Sequence, residues 1–217
     1  MSLLPEDKKE LLKNDLKAKL VDPVKIVMFT QEVECRFCSD TKKLAQEMAT
    51  LNEKITTEVY DFVANADKAK ELCIERIPAL AIIGKKDYGV RIYGIPYGYE
   101  LQTFIEAIIN VSRGRGQTDL TDKTKQVLKD VVAPVDIKVF VTLTCPHCPA
   151  AAAVAHKLAI ESDLIKAEVI ESSEFPDLAI KYNVIGVPKI IINEKTEFVG
   201  AFNEDLFAEH VVLGALQ

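Results

Sequence analysis

Thr144-Cys145-Pro146-His147-Cys148-Pro149 lies where the β-prone run Ile137-Lys138-Val139-Phe140-Val141 gives way to an alanine-rich run over residues 150–160 with helix-forming composition. Two thiols at this spacing on a strand-to-helix junction can close a small ring across the first helical turn. That turn also leaves backbone N–H groups unpaired, and with the macrodipole these stabilise a thiolate on the first cysteine. Lowering a thiol pKa from about 8.5 to about 6.5 corresponds to about 2.7 kcal/mol and raises the thiolate fraction at pH 7 from a few per cent to about three quarters. Intrinsic nucleophilicity falls along with basicity, so the larger benefit is to Cys145 as a leaving group. The stretch therefore reads as a site that exchanges disulfides rather than one that merely attacks electrophiles.

The rest of the chain narrows the setting. At 217 residues and 48% hydrophobic, it can bury a core and suits one large or two small domains. A formal charge of −6, with no basic block or stripe to offset it, argues against nucleic acid as a partner. The charged opening, Met1 to Glu10, stands where a signal peptide would need an apolar stretch, and no run approaches the ~20 apolar residues of a membrane span. The expectation is a cytoplasmic protein with neither nucleic-acid nor membrane partners. Of the five cysteines, four form two C-x-x-C pairs, and Cys73, without a partner in sequence, is expected to be a buried core thiol.

Taken in order, residues 3–20 read as a helix with Leu12, Leu16 and Leu20 on one stripe, stopped by Pro23. A strand over 24–29 follows, then Cys35-Arg36-Phe37-Cys38 opening a helix, a strand over 55–62, and a short helix over 66–73. Ile77-Pro78 leads into an apolar strand, a hairpin and a helix over 99–111. Ser112-Arg113-Gly114-Arg115-Gly116-Gln117 interrupts all periodicity and is the expected linker, which divides the chain into 1–116 and 117–217. The same order then repeats, from a helix carrying Leu120, Val127, Leu128 and Val131 to a last helix over 204–216. Cys35 and Cys145, Cys38 and Cys148, and Pro78 and Pro188 are each offset by 110, the arithmetic of an internal duplication.

Each half, with its strand, C-x-x-C helix, strand, helix, x-Pro-strand, hairpin strand and helix, resembles the thioredoxin fold. The tandem resembles the thermophilic-type protein disulfide oxidoreductases, glutaredoxin-like or PDI-like proteins. The fold this implies is α/β, two tandem thioredoxin-fold units, each a central mixed β-sheet flanked by helices. The resemblance implies that Pro78 and Pro188 are the family's cis-prolines beside the active sulfurs, and that the backbones of Ile77 and Val187 pair with an incoming polypeptide. It implies that Cys35 and Cys145 are nucleophiles and that Cys38 and Cys148 resolve the mixed disulfide. Arg36 and His147 lie between the cysteines, where a cation favours the thiolate.

The two sites are not expected to be equal. Pro146 suits a first helical turn, whereas Cys35 has the like charge of Glu34 directly before it, so Cys145 is expected to be the more reactive thiol. Pro149, directly after Cys148, is expected to tighten or kink the helix start. Thioredoxins carry a buried acid on the strand before the first cysteine, and here that strand offers only lysine as a charge. Glu58 and Glu168, offset by 110 on the next strand, are the candidate substitutes, with a solvated or salt-bridged strand residue as the alternative.

The expected activity is dithiol–disulfide exchange with disulfide-containing protein substrates, with no metal and no cofactor beyond the redox-active disulfides. The chain has no G-x-G-x-x-G loop, so a separate thioredoxin-reductase-like donor must supply electrons. A second reading is a dedicated electron carrier from such a reductase to a peroxiredoxin. A zinc protein with four thiolates is a remote alternative, because more than a hundred residues separate Cys38 from Cys145 where about 15–20 are usual. A binding module with idle cysteines is another.

Overall fold

The computed structural model describes residues 2–216. The first unit comprises α1 (Glu6–Lys19), β1 (Val24–Thr30), α2 (Cys38–Leu51), β2 (Ile55–Asp61), α3 (Ala66–Glu71), β3 (Ala79–Ile83), β4 (Asp87–Tyr93) and α4 (Glu100–Arg113). The second comprises α5 (Asp122–Val127), which passes into a 3-10 turn (Leu128–Asp130), then β5 (Val135–Val141), α6 (Cys148–Glu161), β6 (Ile165–Glu171), α7 (Pro176–Lys181), β7 (Lys189–Ile192), β8 (Thr196–Val199) and α8 (Glu204–Ala215). In each unit the first strand pairs parallel to the second and antiparallel to the third, which in turn pairs antiparallel to the fourth.

The units share one eight-stranded sheet of order β2-β1-β3-β4-β6-β5-β7-β8, joined by parallel pairing of β4 with β6 from Val90↔Ala167 to Tyr93↔Ile170. Strand composition explains which edges meet. β4 and β6 are buried along almost their whole length, as strands covered on both faces must be. The outer strands β2 and β8 are half-exposed, and their polar and charged side chains discourage further pairing.

Side chains alternate across this sheet. Ile26 and Met28 of β1 pack with Leu44 and Met48 of α2, and Ile137 and Val139 of β5 pack with Ala151 and Ala155 of α6. On the other face, Val27, Phe29, Phe140 and Ile170 pack beneath α3 and α7, with Ala69, Leu72 and Leu178 in one cluster spanning both units. Phe29 and Phe140 are completely buried, and truncating either to alanine would cost about 3–5 kcal/mol. Because β1 and β5 run parallel, both cysteine pairs emerge at the same edge of the sheet and on the same face. Four strand spacings separate β1 from β5, about 19 Å.

Several local expectations are corrected. Both cysteine helices start at the second cysteine, so Cys35 and Cys145 sit in the preceding turn. Pro149, not Pro146, therefore occupies the first turn of α6, where its missing N–H breaks no helical bond and no kink is needed. The expected helix through Leu120 to Val131 is broken in two, with Leu120 ahead of it and the Thr121 side chain capping α5 by accepting from the Thr124 N–H. Ser112 and Arg113 belong to α4 rather than to a linker. The turn after it, with Gly114 and Gly116 at positive φ, is pinned by Glu161, which accepts from the N–H groups of Gly116 and Thr118.

Cys73 is exposed, not buried. It ends α3 in the left-handed region at φ 52°, as Asn183 ends α7 at 49°, and this conformation turns its side chain away from the core that Leu72 and Ile74 enter. In oxidised protein without denaturant, a thiol reagent should therefore titrate one cysteine, identifiable by peptide mapping as Cys73. Labelling only after unfolding would contradict the exposed position.

Candidate functional site

The turns after β1 and β5 carry disulfides Cys35–Cys38 and Cys145–Cys148, with Cα separations of 5.4 and 5.5 Å. In each pair the second cysteine is the more deeply buried, Cys38 at 1% and Cys148 at 0% exposure against 8% for Cys145 and a partly exposed Cys35, so an incoming disulfide meets the first cysteine. The Cys148 N–H points at the Cys145 sulfur at 3.1 Å, an unpaired helix-terminal donor aimed at the atom that carries charge on reduction. Cys145 Sγ lies 3.8 Å from the Val187 carbonyl oxygen, which brings the loop of Pro188 alongside the site. The Ile77-Pro78 and Val187-Pro188 peptide bonds are both cis. Phe29↔Ala79 and Phe140↔Lys189 are equivalent register pairs, so the two prolines enter their strands at matching places.

The surroundings differ. The loop before Cys35 has one extra residue, and Glu34 takes φ 58° there, a strained conformation for a side chain with a Cβ. Arg36 is exposed and lies over the Phe37 ring at 5.0 Å, while His147 is an exposed residue at the start of α6. The histidine that is buried is His156 on the same helix. Burial pushes its pKa down to about 4, against the Arg91 carbonyl 3.3 Å from Nε2, so it is neutral near pH 7.

Glu58 and Glu168 do not lie with the cysteines. Strand parity puts both on the α3/α7 face, opposite α2 and α6, because Glu58 pairs with Val27 and Glu168 with Lys138. Glu58 is half-exposed and bonded to Lys25 at 2.5 Å, which leads the effects lowering its pKa. Glu168 is buried against Lys166 at 2.7 Å, and burial followed by the Asp136 charge raises its pKa. The salt-bridged alternative describes both residues.

The acid on the cysteine face is one that sequence reasoning missed. Glu100 opens α4, is 3% exposed, and neither carboxylate oxygen has a hydrogen-bond partner. Burial drives its pKa up to about 7, and the Glu171 carboxylate adds to the shift. Glu171 ends β6 on the α6 face, and its carboxylate accepts from the Glu174 N–H at 2.8 Å. Glu174 in turn accepts from the Ile95 N–H at 2.7 Å, and its pKa is also about 7, raised by burial. The three acids sit where the first unit's 94–99 loop crosses to the second unit. The Tyr99 N–H donates to the carbonyl of Leu143, two residues before Cys145.

Gly98 makes this crossing possible. It has φ 61°, and a Cβ there would run into the Leu143 carbonyl oxygen. Gly98→Ala should cost about 2 kcal/mol or more, a Tm loss of about 4–8 °C for a chain of this size. An unchanged Tm in thermal unfolding would mean that the loop does not approach Leu143 this closely.

Comparison with known proteins agrees with this geometry. The family model for the thioredoxin domain matches residues 135–212. A thioredoxin of Methanocaldococcus jannaschii is 37% identical over 81 residues, 37% of this chain and 95% of that protein. The crystal structure of a protein disulfide oxidoreductase from Aeropyrum pernix superposes with a TM-score of 0.90 at 33% identity, over 98% of this chain and 94% of that one. The N-terminal domain of the alkylhydroperoxide reductase AhpF from Enterococcus faecalis has the same fold, with a TM-score of 0.87 at 24% identity over 96% and 99% of the two chains. The chain spans 34% of the length of the curated alkyl hydroperoxide reductases of this kind from Staphylococcus aureus. Fold and paired cysteines thus define a thiol–disulfide oxidoreductase built on two tandem thioredoxin-fold units. The chain belongs to the protein disulfide oxidoreductases.

Proposed function

We propose that the C-terminal dithiol is the principal site of exchange with protein disulfides, and that Glu100 holds the proton for it. The observation that carries this reading is the setting of Cys145, which receives the Cys148 N–H at 3.1 Å, is flanked by the Val187 carbonyl at 3.8 Å and is less deeply buried than the fully enclosed Cys148. The Cys145 thiolate attacks a substrate disulfide, forms a mixed disulfide and releases one substrate thiolate. Cys148 then gives up its proton, attacks the Cys145 sulfur, closes the 145–148 disulfide and releases the second substrate thiolate. Glu100, buried on the cysteine face of the sheet with both carboxylate oxygens unpaired and its pKa raised to about 7, is the acceptor we assign to that proton. The backbone of Val187 beside cis-Pro188 holds the substrate strand, and Ile77 beside Pro78 does so at the N-terminal site. His147 stands exposed between the two cysteines.

Two electrons pass through the sulfurs alone, so no metal or other cofactor is invoked. The four thiols do not converge on one zinc, since the pairs follow strands about 19 Å apart across the sheet. An external thioredoxin-reductase-like donor must restore the dithiol, and a charge of −6 disfavours nucleic acid as a partner. No helix among the described residues is long and apolar enough to cross a membrane, and we place the protein in the reducing cytoplasm. Kinship with the AhpF alkyl hydroperoxide reductases favours a second reading, transfer of electrons onward to a peroxiredoxin. Catalytic reduction of insulin disulfides with dithiothreitol as donor tests the main reading. Turnover confined to a peroxiredoxin would favour the second.

A further inference from the structure

The two cis-proline loops are equivalent in backbone and opposite in chemistry. Glu75-Arg76-Ile77-Pro78 in the first unit corresponds to Ile185-Gly186-Val187-Pro188 in the second, each at an offset of 110. Gly186 is not there to satisfy the fold. Its φ lies outside the left-handed region, and an added Cβ would meet only Val199 Cγ1, at an ordinary 3.8 Å. A side chain would fit, so the glycine leaves free the space through which a polypeptide approaches Val187 and Cys145. The residue before it, Ile185, is 90% exposed, an apolar contact at the mouth of that path.

Arg76 occupies the corresponding backbone position, two residues before Pro78, and its side chain is tethered. Its guanidinium is bonded to Asp177 of the second unit at 2.8 Å. Asp177 lies in the first turn of α7, which reaches the first unit through the joined sheet, with Phe175 edge-on to Tyr93 at 6.1 Å. A linear duplication supplies this neighbour once. Asp67, the counterpart of Asp177, lies on α3, while the C-terminal site faces the outer strand β8. An exposed ion pair of this kind adds little to stability, yet it suffices to bias where a long side chain rests.

We propose that Arg76, held across the seam by Asp177, is a specificity determinant that bars extended apolar polypeptide from the N-terminal dithiol, while Gly186 leaves the corresponding path open to Cys145. The inference rests on the exchange reading above and refines it. Small disulfides reach both sites. Extended polypeptide reaches the C-terminal one, because pairing a strand with Ile77 would strip water from the Arg76 guanidinium and the Glu75 carboxylate without replacing their hydrogen bonds.

Single-site proteins test the proposal. In the full chain carrying Cys145→Ser and Cys148→Ser, adding Arg76→Gly should raise the ratio of kcat/KM for insulin to that for dithiobis(nitrobenzoate) about tenfold, and Asp177→Asn should raise it by a smaller factor. In the chain carrying Cys35→Ser and Cys38→Ser, adding Gly186→Arg should lower the same ratio about tenfold. An Arg76→Gly ratio within twofold of its parent overturns the proposal. So does an equal rise on both substrates, which would make Arg76 a modulator of thiol chemistry rather than of access. Absence of insulin turnover in the unsubstituted protein would instead count against the exchange reading, so the two failures are distinguishable.

Discussion

Cys145→Ser is expected to lower insulin-disulfide turnover by about 100-fold, whereas Cys35→Ser should retain roughly half of it. The asymmetry follows from what surrounds each sulfur. Cys145 has an N–H aimed at it and a carbonyl edge beside it, both fixed by the start of α6 and the Pro188 loop. Cys35 follows Glu34, whose carboxylate opposes a thiolate and whose backbone stands in the left-handed region. A sulfur lost from the second unit cannot be replaced by the first, since a lateral gap of about 19 Å forbids direct exchange between the pairs in one chain. Redox titration of each remaining pair should accompany the assay, because a 30 mV difference in potential, about 1.4 kcal/mol, would by itself shift the balance tenfold. Equal losses in the two variants would show that the sites act as one unit, and a larger loss in Cys35→Ser would invert the assignment.

Local pattern made much of this architecture legible. The offset of 110 linked cysteines and prolines, and apolar runs ending at Pro23 and leading from Pro78 marked helix and strand limits. What stayed hidden was non-local. Nothing in β4 or β6 read alone says that these two edges pair, since each strand is apolar enough to be a covered edge of its own unit. Glu100 escapes a reading confined to the strands of the same unit, because the buried carboxyl comes from the first turn of a helix in the other. Parity could have removed Glu58 from consideration. Thr57 and Val59 point toward α2, the hydroxyl of Thr57 donating to Ala45 of that helix, so the residue between them must face the opposite side. Cys73 reads as apolar in composition, and only the left-handed turn ending α3 sends it outward.

Glu100→Gln should have two effects that a merely structural residue would not combine. The carboxyl pKa of about 7 lies above the ordinary value of 4.5, so the folded state keeps a proton that the unfolded state has already released. The folded protein therefore binds more protons between those values, and its stability falls as pH rises through that window, then levels off above it. Removing the titration should reduce the drop in unfolding free energy between pH 5 and pH 8 by about 2 kcal/mol. Glu174, raised to about 7 in the same way, keeps part of the slope in both proteins. Denaturant titrations at the two pH values measure this change, and an unaltered slope would mean that Glu100 is not the group that titrates. The amide cannot accept the Cys148 proton, so closure of the 145–148 disulfide should slow by about 100-fold near pH 7 and lose its inflection there. Mixed disulfide at Cys145 should accumulate as a consequence and be visible by mass spectrometry after acid quench. A variant whose pH-dependent stability changes as expected but which resolves mixed disulfide at the normal rate would leave Glu100 a buried, costly acid and assign the proton to solvent.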